Sequence, residues 1–425
     1  MTNTQTGDGI LELANYLKID DKCVAHNARL QSIQINNATI KNFSFKLFNE
    51  YKLSFFQCTF LCEINEVPGF FEIENPVYIY DCTFEENVIS YNIKFKSNVV
   101  IAHCSFNKNF YFEANTFCNS SNFERNFYNY ASFKKSHFEK SGTFYNSTFK
   151  GLNFSQVVFN ENLNMVNTKL NFTFANLEEK IKQECKDFNE KNEQDKKLLD
   201  EIANDFRDSF RTFKSALIKD NNALDASNFH KYELYCKEIE LKNKKGKTFK
   251  DVVDRWQLFF YRKLCDHHTD ILQSLNSLIL AIGIFVISSV AIVVGFNYSL
   301  GYKPILEHGY FLLDFYNHHI NSIIQDNYLL MIFVNFMIFF IYLGLVGFAL
   351  CLKYMREFFI IISYVITLLV LAISPKILIP AMGIFTDKRA MLDPLSVLGG
   401  IYTIIFGFVA FSFIKTIRKN SIVPS

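Results

Sequence analysis

NTFCNSSNFERNFYNYASFKKSHFEKSGTFYNSTFKGLNFSQVVF, residues 115–159, carries an aromatic beat. Phe117, Phe123, Tyr128, Phe133, Phe138, Phe144, Phe149, Phe154 and Phe159 follow one another at five residues, with two steps of six. Two positions before these rings the side chains are mostly small or polar: Asn115, Ser121, Ala131, Ser136, Gly142 and Ser147. A period of five fits neither the 3.6 of a helix nor the 2 of a strand. It fits a chain that turns a corner every five residues, with a bulky centre and a small neighbour facing inward on each side. Four corners make about twenty residues per coil, and stacked coils would lie about 4.8 Å apart, the ordinary strand spacing.

The same pair recurs upstream as Cys58–Phe60, Cys82–Phe84 and Cys104–Phe106, in the units QCTF, DCTF and HCSF, 24 and 22 residues apart. That spacing puts the three units on one face of successive coils. Cys58, Cys82 and Cys104 then fill the small inward position, where a thiol behaves as a small hydrophobe. Phe133, Phe138 and Phe149 are likewise read as core. These residues resemble the pentapeptide-repeat family. The resemblance implies a right-handed quadrilateral β-helix over residues 35–177, preceded by a cap over 1–34. It is cleanest from 112 to 160 and breaks at EINEVPGFFEIENPV, residues 63–77, which reads as an inserted loop or an irregular coil. Some soluble members of the family imitate DNA, but residues 40–175 hold twelve acidic and twelve basic side chains. So balanced a surface does not match a duplex with one charge per ~1.7 Å, and no nucleic-acid partner is expected.

From Asn176 the beat stops. Ile202, Phe206, Phe210, Phe213 and Leu217 recur at three and four residues, giving one apolar helical stripe. A break at Asp220–Asn222 separates it from a second stripe through Phe229, Tyr232, Leu234, Cys236 and Ile239. This helical hairpin, within a linker and juxtamembrane region over 178–266, would cover the open end of the coil, as solenoids require. KNKKGKTFK follows, and Lys242, Lys244, Lys245, Lys247, Lys250 and Arg255 form a basic cluster suited to lipid headgroups. The amphipathic DVVDRWQLFFYRKLCD, residues 251–266, holds the only Trp and suits the headgroup level.

Residues 267–425 read as a transmembrane domain with four spans near 274–296, 328–352, 358–384 and 395–414, the third distorted at Pro375 and Pro380. Each is near the ~20 apolar residues needed to cross a bilayer. Eight Lys and Arg between 241 and 263 place both termini in the cytoplasm. The N-terminal stretch has no basic or long apolar segment, so no secretory signal is expected, and the ten cysteines are expected to stay reduced. The combination is similar to bacterial inner-membrane proteins in which pentapeptide repeats precede transmembrane helices. Some of these are channel-like, but no TVGYG-like filter occurs here.

Polar residues within spans are the default functional positions: Asn276, Asn335 and Lys376 are candidates for a pore lining or for interhelical bonds. His267–His268 and His318–His319 lack a nearby cysteine or carboxylate pattern, and no metal or cofactor is expected. No nucleophile elbow, Walker loop or zinc-protease helix occurs, so no enzyme is expected. The expected function is a membrane-anchored homo-oligomer whose cytosolic repeat domain binds or senses a protein partner while the spans contact lipid. The alternative is an ion channel or pore-forming, defence-type protein gated by that domain.

Overall fold

The computed structural model describes residues 7–27, 32–66, 70–170, 172–191, 196–299, 321–351, 353–373 and 392–420. The chain divides into two compact units, Met1–Arg255 and Trp256–Ser425.

The first unit is built on a parallel β-solenoid. Register runs Gln34, Ser54, Tyr78, Val100, Asn122, Thr143, Asn164 along one wall. It runs Thr39, Thr59, Thr83, Ser105, Phe127, Thr148, Lys169 along a second. A third wall holds Ile64, Val88, Phe110, Ala131 and Leu152, and a fourth holds Glu72, Lys94, Thr116, His137 and Val158. The three Cys-x-Phe units therefore stand on one wall. The region read as an inserted loop supplies strands Ile64–Glu66 and Phe71–Ile73 to the third and fourth walls. It is a coil of 24 residues, from Thr59 to Thr83, rather than an interruption.

Two ladders inside the coil explain the beat. Phe60, Phe84, Phe106, Tyr128 and Phe149 stack ring on ring with centroids 4.4, 4.7, 5.0 and 4.8 Å apart. Phe95, Phe117, Phe138 and Phe159 stack at 5.2, 4.5 and 4.7 Å. These spacings match the strand separation, so backbone ladder and aromatic ladder reinforce each other. The small position does more than fill space. Ser147 Oγ accepts from the Asn126 amide (3.2 Å) and donates to the Phe123 carbonyl (2.8 Å). Asn126 Oδ1 accepts from the Cys104 amide at 2.7 Å, and Cys82 Sγ from the Cys58 amide at 3.4 Å. Asn115 and Ser136 repeat the arrangement on another wall. Contact with Cys104, then burial, pushes the Cys82 thiol up to about 12, and contact with Cys82, then burial, raises Cys58 too. Such thiols are inert core groups.

The corners adopt left-handed backbone without glycine. Asn37, Gln57, Asp81, His103, Arg125, Asn146 and Asn167 have φ between 53° and 58°, and Asn92, Ala114, Lys135 and Gln156, between 55° and 62°, form a second such column. Each stands directly before a small or core position in the sequence, so the corner is set by register rather than by residue type. At the N-terminal end, helix α1 (Gly7–Leu17) buries Leu13 and Leu17, and the strand Val24–Asn27 pairs antiparallel with Ser32–Asn36. Helix α2 (Leu47–Glu50) buries Leu47 and Phe48 in the first coil.

The C-terminal end is covered by α3 (Phe174–Lys191), α4 (Leu199–Lys219) and α5 (Ala223–Asn243). All five residues of the expected α4 stripe are buried. On α5, Tyr235 is buried in place of Leu234. Asn222 caps α5 by accepting from the Asp225 amide at 3.2 Å, ending the hairpin turn at the expected break. Ser209 Oγ accepts from the Phe154 amide (2.8 Å), Phe213 packs edge-on to Phe154 (4.6 Å) and Tyr232 donates to the Leu170 carbonyl (2.8 Å). The hairpin thus completes both the aromatic core and the hydrogen-bond ladder of the last coils.

The second unit contains α7 (Ile271–Ser299), α8 (Asn321–Asp326), α9 (Tyr328–Cys351), α10 (Lys353–Ile373) and α11 (Pro394–Asn420), entered through α6 (Phe249–Cys265). Among the described residues, three helices are long and apolar enough to cross a membrane, over Ile271–Phe296, Tyr328–Ala349 and Pro394–Lys419. The expected third span, 358–384, overlaps α10, which is not one of these three; its remainder from 374 to 384 lies outside the described residues.

Two predictions follow from the first unit. Any side chain costs about 1–2 kcal/mol in left-handed backbone relative to glycine, and a β-branched one is rarer there still. Arg125→Val should therefore lower the melting temperature of the full chain, whereas Arg125→Gly should leave it unchanged or raise it. Burial favours the neutral form of Glu233, but His230, Lys214 and Arg211 outweigh it and hold the carboxyl at about 2. Because the folded value lies below the ordinary ~4.3, the stabilisation is complete above that pH and is lost as pH falls through about 2. The melting-temperature gap between parent and Glu233→Gln should close over that interval.

Candidate functional site: the juxtamembrane elbow and the polar groups of the spans

Helix α6 opens with a capping box. Thr248 Oγ1 accepts from the Asp251 amide at 3.2 Å, and Asp251 Oδ2 accepts from the Thr248 amide at 2.9 Å. The Thr248 amide and then Lys244 hold the Asp251 carboxyl down at about 2. The basic cluster is therefore divided. Lys242 pairs with Glu178 at 2.7 Å, Lys244 with Asp251 at 3.0 Å, and Lys247 donates to the Lys242 carbonyl at 2.7 Å. Lys245, Lys250 and Arg255 are exposed. On α6, Phe249, Val252, Val253, Trp256 and Phe260 are also exposed, at spacings that put them on one helical stripe.

At its C-terminal end α6 turns into α7 through Asp266, His267 and His268, with φ of 47°, 58° and 66°. Three successive non-glycine residues in this region are held only where the surroundings over-determine them. Here, Gln273 Nε2 donates to the Arg262 and Lys263 carbonyls at 2.7 and 2.8 Å, and Ser277 Oγ donates to the Leu264 carbonyl at 2.8 Å. Both α7 side chains thereby satisfy the last carbonyls of α6. His268 Nδ1 lies 3.3 Å from Cys265 Sγ and 3.0 Å from Thr416 Oγ1 of α11. Tyr261 packs on His268 and Phe408. Arg356 Nη2 of α10 donates to Ser277 Oγ at 3.2 Å. The elbow thus joins α6, α7, α10 and α11.

Among the candidate pore positions, Asn276 Oδ1 accepts from Tyr364 OH of α10 at 2.9 Å, and Asn335 Nδ2 of α9 donates to the Leu392 carbonyl at 2.8 Å. Next to it, Asp393 Oδ2 accepts from the Ser396 amide and hydroxyl, both at 2.8 Å, and caps α11. Lys376 and the pair His318–His319 lie outside the described residues. Around these contacts the helices meet closely. A Cβ on Gly283 of α7 would stand 2.1 Å from Ser363 Oγ of α10 and 2.7 Å from its Cα, so these two backbones touch. Phe285 stacks on Tyr402 of α11 at 4.0 Å. Gly344 and Gly347 of α9 have open space beside them.

Sequence reading missed Tyr364, Ser363, Thr416 and Gly283, because each matters only through a partner far along the chain. The doubled histidine was the one visible mark of the elbow. Among the described residues no group of three or more His, Cys, Asp or Glu could hold a metal ion.

The Asn276–Tyr364 bond is testable by a double-mutant cycle. Asn276→Leu and Tyr364→Phe should couple by about 0.6 kcal/mol, and by no more than ~1.7, the range for bonds between membrane helices. Reversible unfolding in detergent reads the value, and strict additivity would contradict the bond. No protein family, curated protein or solved structure matches this chain.

Proposed function

We propose that the chain is a membrane-anchored binding protein. In this reading a right-handed quadrilateral solenoid of the pentapeptide-repeat type sits at the cytoplasmic face of a bacterial inner membrane. Four spans hold it there, both termini are cytoplasmic, and the protein acts as a homo-oligomer on a cytosolic protein partner. Its work is binding rather than catalysis.

The observation that carries this reading is the use made of polar groups in the spans. Asn276 and Asn335, the two described candidates for a pore lining, each make a bond to another segment of the unit. Polar groups engaged in this way tie segments of the unit together rather than hydrate an ion. The exposed stripe of α6 supports lipid contact: Trp256 is 56% exposed and Phe249 85%, beside Lys250 and Arg255. Such a helix lies in the headgroup plane with its apolar side down.

Purified full-length protein in sealed vesicles separates anchor from channel. We expect no potassium, sodium or proton flux above that of empty vesicles across a range of voltage and pH. Flux that Asn335→Leu alters would replace the anchor reading with a gated pore.

A further inference from the structure

The C-terminal end of α6 is fixed in depth by α7. The Arg262 and Lys263 carbonyls accept from Gln273 Nε2 at 2.7 and 2.8 Å. Gln273 stands in the first turn of α7, whose Ile271–Phe296 segment is long and apolar enough to cross a membrane. The last turn of α6 is therefore level with the start of that segment, the depth at which a bilayer holds its headgroups and at which tryptophan is favoured.

Along α6 the side chains are sorted by chemistry. Successive helical residues point about 100° apart. Phe249, Val252, Val253, Trp256 and Phe260 fall in one stripe and are 39–85% exposed. The Trp256 ring lies 5.8 Å from Phe259 and 6.1 Å from Phe260, making one aromatic surface. Lys250 and Arg255, both exposed, stand on opposite flanks of the stripe, each about 110° from its centre. Asp251 and Asp254 are turned farther away, about 150° from it, and the Asp251 carboxylate is already engaged by Thr248 and Lys244. Toward the elbow, Arg262 and Lys263 lie over the Phe259 ring at 5.4 and 5.8 Å. Cations laid along apolar surface in this way keep their charged ends at the boundary between hydrocarbon and water.

We propose that α6 binds anionic phospholipid of the same bilayer that α7 crosses, the aromatic stripe entering the headgroup layer while Lys250 and Arg255 select a negatively charged surface. A protein groove would also cover the rings, but cations on both edges, carboxylates turned away and a helix end level with the start of α7 match a lipid surface of negative charge. The inference rests on the lipid contact proposed above and adds the class of lipid.

The chain holds a single tryptophan, so its fluorescence reports α6 directly. The full chain is reconstituted in vesicles of phosphatidylcholine alone and of two parts phosphatidylcholine to one part phosphatidylglycerol, each with brominated acyl chains as quencher. Quenching of Trp256 should be greater in the anionic vesicles, and molar salt, which shortens the reach of surface charge, should remove the difference. Lys250→Glu with Arg255→Glu should also remove it, lowering the ratio of seated to free helix roughly twentyfold, about fivefold for each cation taken from the surface. Lys250→Arg with Arg255→Lys should preserve it, because attraction to a charged surface needs the sign and not the shape of the group. Equal quenching in the two vesicles, loss of the difference in the charge-preserving pair, or a Trp256 shielded from aqueous acrylamide yet unquenched by lipid, as under a protein cover, would each overturn the proposal. Washing with alkaline carbonate reads the other question. A chain stripped from the vesicles overturns the anchor; one that stays, with a Trp256 indifferent to phosphatidylglycerol, overturns the lipid selection alone.

Discussion

The solenoid depends on one coincidence of lengths. Hydrogen-bonded strands lie about 4.8 Å apart, and the rings of Phe60, Phe84, Phe106, Tyr128 and Phe149 stack at 4.4–5.0 Å. Because the distances agree, the backbone ladder and the aromatic column can both be satisfied by one register. A slip of one residue would turn every inward ring outward. The corner conformations follow from that constraint. Arg125 and Gln57 are poor residues for left-handed backbone on their own, yet they adopt it because the strands on either side are already fixed.

In the second unit, where three helices are long and apolar enough to cross a membrane, the helices are joined by close contact and hydrogen bonding. Gly283 against Ser363 and Phe285 against Tyr402 supply the contact. Asn276, Asn335, Gln273 and Ser277 supply the bonds. The result is a unit whose polar groups are concentrated at helix ends and crossings, with α9 presenting Leu329, Phe333, Phe336 and Phe340 outward.

The beat of five was legible because each ring reports its own position, and the helical stripe through Phe206, Phe210 and Phe213 was legible for the same reason. Local periodicity encodes which side faces in. The coil at residues 63–77 was less legible: its two extra residues break the beat although Ile64 and Ile73 still face inward. The roles of Asn126 and Ser147 as bridges between coils were invisible, since a small polar residue at a corner looks the same whether or not it bonds. In the second unit apolarity revealed the helices but not their neighbours. Nothing local in the sequence marks Tyr364 as the partner of Asn276, 88 residues away.

The column of small residues changes chemistry along the solenoid. Cys58, Cys82 and Cys104 occupy it toward the N-terminus, with thiol contacts of 3.2–3.7 Å, and Asn126 and Ser147 occupy it farther on, with bonds of 2.6–3.2 Å. Thiols are weak donors and acceptors. The column therefore has a chemical polarity. Along this one column the early coils are joined through soft sulfur and the late ones through short oxygen and amide bonds, while the backbone ladder runs unchanged beside both.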